Sequence, residues 1–311
     1  MRVCLVSTYP PQRCGIARYS HDLAQTMTGL APRSAFLTVL SERREWIRDN
    51  RFRDGGVDVE RVWERRGLGS WIAASSRIIG SKPDVVHVQH EYGLFNTWVG
   101  LPYLLFLAVA RLLRSRVVVT LHSVCPSKPV SLKGRLSSLR GRSAVRLSTR
   151  GMRLLAHRFV CHTETQRRYL LHVHGFDPQA IDLIPHGSNP EVPSTSSPGD
   201  RPLLLFFGYI SRRKGVDTLL RAMPLIKREV PKARLLVAGT YQNKDGSDCL
   251  KELREEAERL GLKESVEFRT RHFPEEELPT LFSESRLVVM PYVELFGCSG
   301  VVREAARFGK P

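Results

Sequence analysis

Short apolar runs separated by helical patterns recur along the whole chain. Most runs are continuous stretches of Val, Leu and Ile without alternation, as in a parallel sheet that is covered on both faces. The predicted strands are residues 2–8, 35–40, 84–90, 116–122, 158–163, 181–185, 203–208, 234–239, 266–270 and 286–292. Between them, residues 16–27, 216–226 and 250–260 carry apolar side chains at helical spacing. Alternating strands and helices predict an α/β protein with doubly wound sheets.

A segment rich in Pro, Ser and Gly, from Asn189 to Pro202, interrupts this alternation. Such a composition is typical of a linker, so we predict two Rossmann-like domains, residues 1–189 and 190–311. The longest apolar stretch, Trp98–Leu113, contains Pro102 and Arg111 and is shorter than the roughly 20 residues of a membrane span. We interpret it as a buried crossover helix.

Positive charge is unevenly distributed over the 311 residues, whose formal net charge is +17. No Asp or Glu occurs from Tyr92 to Thr163, a stretch that includes twelve Lys and Arg residues. Anionic lipid, nucleic acid or a phosphorylated substrate would complement such a stretch, although a solvated basic face without a partner has the same composition.

Several classes of protein are disfavoured by missing motifs. The six cysteines form no CxxC pair, so we expect neither a zinc site nor a disulfide framework. Neither GxGxxG nor a Walker A loop is present, which argues against nicotinamide and P-loop chemistry. The first residues lack the long apolar region of a signal peptide, so we expect a cytoplasmic protein.

Candidate chemistry lies where predicted strands end, because open parallel sheets bind ligands at their carboxyl edges. In the first domain, two strands end in His90–Glu91 and in His122, and we expect these three residues to come together at one site. The first strand leads into a turn and a helix start at Gly15. Backbone N–H groups at a helix start suit an anionic group.

In the second domain, a strand ends at Gly208, and Arg212, Arg213 and Lys214 precede the next helix. Three cations there fit either a diphosphate clamp or a solvated basic turn. Near the end of the sequence, Gly297, Ser299 and Gly300 can bring N–H groups close to a phosphate, at the start of a helix that carries Glu304. Together these loops point to a nucleotide diphosphate donor.

The ordered motifs resemble the retaining glycosyltransferases of family 4, which have the GT-B fold. STYPPQRCGIARYSHDLA, DVVHVQHEYGLF, VVVTLHSV and LIPHGSN are similar to the acceptor-binding half of that family. FFGYISRRKGVDTLLRAM, LLVAGTY and PYVELFGCSGVVREAARFGKP are similar to its donor-binding half. The family's chain continues past the position of GKP, so the resemblance implies a second domain that is incomplete at its C-terminus.

The resemblance also implies roles for individual residues. Lys214, assisted by Arg212 or Arg213, would neutralise the leaving diphosphate, and Ser299 and Gly300 would donate backbone hydrogen bonds to it. Glu304 would hold the ribose. Glu294 would lie near the transferred sugar, His122 near its reactive carbon, and Gly15 in a loop facing donor and acceptor.

Three departures from the family pattern change these expectations. Nine residues separate Glu294 from Glu304 instead of the family's seven, Tyr209 replaces an Arg that often follows the strand-end glycine, and Cys14 replaces a glycine before Gly15. The second departure moves the expected diphosphate contacts onto Arg212 and Arg213.

The sequence therefore predicts a retaining, metal-independent hexosyltransferase without a cofactor. It would move a mannosyl- or glucosyl-like group from a nucleotide-diphosphate sugar to a glycan, lipid-linked or small-molecule acceptor. The alternatives are a sugar-nucleotide epimerase, a phosphorylase-like GT-B enzyme, or a non-catalytic basic protein of membrane surfaces. Residues 111–158 predict peripheral binding to the anionic inner face of a membrane, and no nucleic-acid-binding motif is present.

Overall fold

The computed structural model describes residues 1–30, 36–65, 67–95, 100–124, 135–188, 202–241, 244–293 and 297–311. They form two compact units. The first comprises Met1–Pro185 with Phe296–Cys298, and the second comprises His186–Leu295 with Ser299–Pro311. The domain boundary predicted from the sequence, between residues 189 and 190, lies outside the described residues.

The described part of the first unit contains an eight-stranded sheet. Its strands are β1 (Arg2–Ser7), β2 (Phe36–Glu42), β3 (Arg51–Asp54), β4 (Val57–Trp63), β5 (Val85–His90), β6 (Arg116–Leu121), β7 (Arg158–Cys161) and β8 (Ile181–Leu183). The spatial order is β3-β4-β2-β1-β5-β6-β7-β8, and every pairing is parallel except β3 with β4. Continuous burial along β1 agrees with the prediction from its unbroken apolar run.

The β3–β4 hairpin was not predicted from the sequence. Its second strand alternates buried and more exposed residues, whereas the prediction relied on continuous apolar runs. Gly55 and Gly56 connect the strands with φ angles of 53° and 92°, which only glycine adopts without strain. A Gly-Gly pair beside an alternating segment is the signal that identifies such a hairpin.

Helices cover both faces of this sheet. They are α1 (Gly15–Leu30), α2 (Leu68–Ser81), α3 (Tyr92–Phe95), α4 (Leu101–Leu112), α5 (Arg135–Leu155) and α6 (Glu164–His172). On β1, Val3 and Leu5 pack into the core that contains α1, whereas Cys4 and Val6 face the core that contains α2 and α4.

The prediction that Trp98–Leu113 forms a buried helix was wrong for one side of the helix, which is exposed. Helix α4 buries Phe106 and Leu107 fully, but Leu105 and Leu112 on its other side are 59% and 83% exposed. No helix in the described part of the chain is long and apolar enough to cross a bilayer.

The described part of the second unit contains a four-stranded parallel sheet. The strands are β9 (Leu203–Phe207), β10 (Arg234–Gly239), β11 (Val266–Thr270) and β12 (Leu287–Val288), in the order β11-β10-β9-β12. Helices α7 (Val216–Glu229) and α8 (Lys244–Arg259) cover one face, and α9 (Leu278–Ser283) and α10 (Gly300–Arg307) cover the other. Each unit is thus Rossmann-like, as the sequence predicted.

Strand β12 is much shorter than the predicted strand over residues 286–292. The Val289 N–H still donates to the Leu205 carbonyl over 2.8 Å, but Pro291 has no N–H with which to continue a ladder. The backbone then turns away, and the Val293 N–H donates to the Arg213 carbonyl over 3.0 Å.

Candidate functional site

The carboxyl edge of the sheet in the second unit is shaped by glycines. The Gly208 N–H donates to the Ala238 carbonyl over 3.0 Å, and a Cβ at Gly239 would overlap the Gly208 backbone. Both glycines have positive φ angles, 128° and 142°. The ends of β9 and β10 therefore approach more closely than residues with side chains would allow.

The predicted clamp loop, Ser211–Gly215, packs against the backbone that follows β12. Gly215 has a φ of 65°, and a Cβ on it would overlap the carbonyl oxygen of Pro291. Together with the bond from Val293 to Arg213, this close packing fixes the loop that carries the three cations beside residues 291–293.

Lys214 lies at the centre of this arrangement. Its half-buried ammonium nitrogen is 3.6 Å from the centroid of the Tyr292 ring, and the Tyr292 hydroxyl is 3.0 Å from Ser299 Oγ. Burial, with the charge of Arg213, lowers the pKa of Lys214 to about 8. The Lys214 cation and Ser299, the residue directly before α10, are thereby brought together through Tyr292.

Ser299 is the N-cap of α10, because its Oγ accepts a hydrogen bond from the Val301 N–H over 3.3 Å. Gly300 is the exposed first residue of the helix, and an added Cβ would meet no protein atom within 4 Å. A helix start with open space beside it can accept an anionic group. Tyr292, which joins Ser299 to Lys214, was not predicted as a site residue from the sequence.

The other two predicted clamp cations differ in their surroundings. Arg212 forms a two-pronged pair with Glu252 on α8, in which Nη2 donates to Oε1 over 2.6 Å, and its Nε is 3.7 Å from Asp245. The carboxylates offset its charge. Arg213 is exposed, and its positive charge contributes to the lowered pKa of Lys214.

Glu304 is buried in an ion-pair network on α10. One carboxylate oxygen is 2.9 Å from Arg303 Nη2, and the other is 3.7 Å from Arg307 Nη1. Arg307 also donates to Glu275 over 2.8 Å. The predicted ribose ligand is therefore already engaged with neighbouring arginines. Glu294, the other predicted glutamate, lies outside the described residues.

In the first unit, His122 follows β6 and is held by a chain of buried polar groups. Its Nε2–H donates to Gln89 Oε1 over 2.9 Å, and Gln89 Nε2 donates to His87 Nε2 over 3.2 Å. Thr120 Oγ1 also lies 2.8 Å from that His87 nitrogen. Burial lowers the pKa of His87 to about 4, so the His87 ring is neutral and its unprotonated Nε2 can accept from Gln89. This chain assigns the Nε2 proton of His122.

Two aromatic groups surround the His122 ring. Tyr19 on α1 stands edge-on to it with centroids 4.8 Å apart, and the His162 ring centroid is 5.3 Å away. Burial lowers the pKa of His162, and His162 Nδ1 lies 2.9 Å from the Ile184 carbonyl oxygen. Neither Tyr19 nor His162 was predicted as a site residue.

The three strand-end residues predicted to act together are not equivalent. His90 is fully buried against Phe95 and Tyr103, with ring centroids 5.6 Å apart in both pairs, and burial lowers its pKa to about 3. Glu91 accepts a hydrogen bond from Ser123 Oγ over 2.7 Å. The expectation that the side chains of His90 and His122 share a site is wrong, because the His90 ring points into the core.

The loop between β1 and α1 is held by buried polar side chains. Arg61 on β4 is 1% exposed, and it donates to the Pro10 carbonyl over 2.6 Å and to the Asp49 carbonyl over 3.1 Å. Gln12 donates to the buried Glu42 over 2.6 Å. At the end of this loop, an added Cβ on Gly15 would meet no protein atom within 4 Å.

Gly297 belongs to the first unit and lies against the end of β6. It forms an isolated antiparallel bridge with Ser123, and a Cβ on it would overlap the His122 carbonyl oxygen. Gly297 is therefore required by backbone packing next to His122. Among the described residues, no group of three or more His, Cys, Asp or Glu side chains could hold a metal ion.

Two family models match the chain. The family described as Glycosyltransferase Family 4 matches residues 14–192, and the one described as Glycosyl transferases group 1 matches residues 189–311.

Curated relatives match part of the chain. A GDP-mannose-dependent alpha-(1-6)-phosphatidylinositol monomannoside mannosyltransferase of Mycolicibacterium smegmatis is 34% identical over 119 residues, which is 36% of this chain and 29% of that protein. A D-inositol 3-phosphate glycosyltransferase of Segniliparus rotundus is 31% identical over 169 residues, 50% of this chain and 36% of that protein. The matched residues thus span about a third of these relatives' own length.

Solved structures match over the whole chain at lower identity. Sucrose-phosphate synthase from Thermosynechococcus elongatus has a TM-score of 0.71 and 16% identity, covering 100% of this chain and 80% of that one. The Anabaena protein HepE, in complex with UDP and glucose, has a TM-score of 0.65 and 16% identity, covering 99% of this chain and 79% of that one. These likenesses show the GT-B fold.

Proposed function

The chain belongs to glycosyltransferase family 4, and from that premise we propose that it moves a hexosyl group from a nucleotide-diphosphate sugar to an acceptor. The second unit would bind the donor, and the first would bind a glycan, a lipid-linked sugar or a small-molecule acceptor. One relative is named as a mannosyltransferase and another as an inositol 3-phosphate glycosyltransferase. These names support transfer of a mannosyl- or glucosyl-like group to a glycan, lipid-linked or small-molecule acceptor.

The observation that carries this proposal is the convergence of Lys214, Tyr292 and Ser299 at the start of α10. A diphosphate placed there would meet the Lys214 ammonium, the exposed Arg213 and the backbone N–H groups that begin the helix. Each of these groups favours negative charge, which grows on the diphosphate as the bond to the sugar breaks. We assign Lys214 to stabilising this leaving group and Ser299 and Gly300 to holding it.

The first unit supplies a polar side chain that is fixed in orientation. His122 donates its Nε2–H to Gln89, which fixes the tautomer and the orientation of its ring. We assign His122 to positioning the transferred sugar and Gly15 to a loop that leaves room for the donor or acceptor. For Glu304 we keep the role of ribose ligand, in which a hydroxyl would share the carboxylate with Arg303.

We further propose that transfer retains the anomeric configuration and needs neither a metal ion nor a cofactor. The cations of the clamp would take the part that Mg²⁺ takes in other phosphate-transferring sites, which is to neutralise the leaving diphosphate. Catalysis would then depend mainly on positioning and on stabilisation of the departing charge.

A donor panel tests the proposal. GDP-mannose, UDP-glucose and ADP-glucose are each incubated with monosaccharide, inositol phosphate and lipid-linked acceptors, with and without EDTA. We expect release of nucleoside diphosphate that depends on the acceptor and survives EDTA, and a product whose anomeric configuration by NMR equals that of the donor. Isomerised sugar nucleotide without acceptor would identify an epimerase, and sugar phosphate formed from glycan and phosphate would identify a phosphorylase-like enzyme. The Lys214→Ala variant is the matched control, and equal turnover in it would refute the assignment of the clamp.

A further inference from the structure

Three neighbouring helices of the first unit present apolar side chains to the outside. Helix α4 packs between α2 and α5, held to α2 by Trp71 against Phe106 and to α5 by the close approach of Gly151 to Leu104. Each helix buries one side against the unit, so its opposite side faces outward. Seven large aliphatic residues on these outer sides are 50–83% exposed: Ile72, Ile79, Leu101, Leu105, Leu112, Leu147 and Leu154.

The spacing of these residues shows that they form strips. On α4, Leu101, Leu105 and Leu112 recur at intervals of four and seven, which keeps them on one side of the helix. The pairs on α2 and on α5 are each seven residues apart, so they also share a side. Single exposed aliphatic residues are ordinary on a protein surface, but parallel strips on adjacent helices form a patch of the kind used for binding.

The same helices contain no acidic residue. Neither α2, α4 nor α5 includes Asp or Glu, whereas Arg111, Arg146 and Arg150 are exposed on α4 and α5. This absence extends beyond the acid-free stretch of the sequence, because α2 lies before it. We name the outward side of these three helices the Leu/Arg face.

We propose that the Leu/Arg face docks on the surface of a membrane that contains anionic lipid. Headgroup phosphates would meet the exposed arginines, and the leucine and isoleucine strips would enter the boundary between headgroups and acyl chains. The face combines apolar burial with positive charge, and an anionic bilayer surface offers the complement of both. The proposal does not depend on the proposed transferase activity, since vesicle binding is measured without donor or acceptor.

Two other occupants fit less well. A second copy of the chain in a two-fold dimer would place this carboxylate-free basic face against itself, so like charges would meet across the interface. A nucleic acid would satisfy the arginines but would leave the aliphatic strips against a hydrophilic phosphate backbone. Both occupants are outcomes of the test below.

Co-sedimentation with vesicles of phosphatidylcholine, with or without phosphatidylglycerol, tests the proposal. We expect binding only to the anionic vesicles. Each basic residue near such a surface strengthens binding about fivefold, so Arg146→Glu with Arg150→Glu should weaken it about 25-fold or more. Leu105→Ser with Leu112→Ser should leave binding at low salt but lose it at physiological salt, where the apolar contribution is needed.

Matched variants in the second unit provide the controls. Lys232→Glu with Lys251→Glu makes the same change in net charge at exposed positions, and Leu225→Ser replaces an aliphatic residue that is 59% exposed on α7. Neither should alter vesicle binding by more than about twofold, because a face-specific contact is not changed by them.

Three results would overturn the proposal. The first is wild-type protein that ignores anionic vesicles even at low salt. The second is a concentration-dependent dimer in sedimentation velocity that Leu105→Ser with Leu112→Ser converts to monomer, without vesicle binding by either protein. The third is binding to duplex DNA that the arginine variant abolishes and the leucine variant leaves unchanged, again without vesicle binding.

Discussion

We expect Lys214 to make the binding of a nucleoside diphosphate dependent on pH in a defined direction. Burial, with the charge of Arg213, lowers its pKa to about 8, so the free protein loses this positive charge as the pH rises through 8. If the charge grips the diphosphate, affinity should be highest below pH 8 and should fall above it. For one group with this pKa, binding at pH 9 should be about tenfold weaker than at pH 7.

Titration calorimetry with GDP and UDP, on wild type and two variants, measures this effect. Lys214→Arg keeps a charge that does not titrate, so its affinity should be nearly independent of pH over this range. Lys214→Met removes the charge at every pH, and its affinity should be about 10- to 100-fold weaker, the usual value of a hydrogen bond to a charged group. Equal pH slopes in wild type and Lys214→Arg would refute the assignment of the titration to Lys214.

Protein stability provides an independent control with the opposite sign. The folded-state pKa of Lys214 lies below its ordinary value, so the unfolded chain binds more protons, and this residue makes the free energy of unfolding rise with pH between about 8 and 10.5. Lys214→Met removes a charge whose burial opposes folding, so we expect no loss in Tm. A variant that binds nucleotide poorly but melts no earlier has lost a ligand contact rather than its fold.

Further predictions concern residues for which a role in folding and a role in binding give different results. Gly15→Ala and Gly300→Ala should leave Tm unchanged because neither added Cβ meets a protein atom, so a fall in transfer rate or nucleotide affinity would report a ligand beside that glycine. Glu304→Ala should lower the free energy of unfolding by about 3–5 kcal/mol because it breaks the buried ion pair with Arg303. Glu304→Gln should lower it less, and it would weaken nucleotide binding only if the carboxylate holds the ribose. Gln89→Leu should lower the transfer rate about tenfold and shift its pH profile, because the His122 Nε2–H loses its acceptor; an unchanged profile would assign Gln89 to packing alone.

The sequence predicted the sheets well where burial alone determines the pattern. Strand β10 and strand β11 begin and end at the predicted residues, because unbroken apolar runs are compatible with little else. The β3–β4 hairpin was missed because it lies at the edge of the sheet, where one side of each strand is exposed and apolar residues alternate with charged ones. Strand β12 was predicted too long because Pro291 ends the ladder while the apolar run continues to Tyr292.

The sequence predicted the backbone features of the candidate site but not the side-chain contacts within it. Gly208, Gly215 and Ser299 follow from strand ends and helix starts, which local sequence identifies. The contact of Lys214 with Tyr292 joins residues 78 positions apart. Gln89 and His87 appear in the sequence only as polar residues within a strand, and their role is visible only when β5 and β6 are paired.

The contacts of the three adjacent cations Arg212, Arg213 and Lys214 determine how strongly each of them can interact with an anion. In the sequence they are equivalent, but Glu252 and Asp245 offset the charge of Arg212, and their contacts hold it toward α8. Lys214 is half-buried over Tyr292, where its charge is poorly hydrated and so interacts strongly with an incoming anion. An anion at the start of α10 would therefore depend more on Lys214 than on Arg212. Replacing Arg212 by Gln should accordingly weaken GDP binding by less than about threefold, because surface ion pairs of this kind contribute little. A loss of affinity as large as that of Lys214→Met would mean that Arg212 leaves Glu252 and binds the diphosphate.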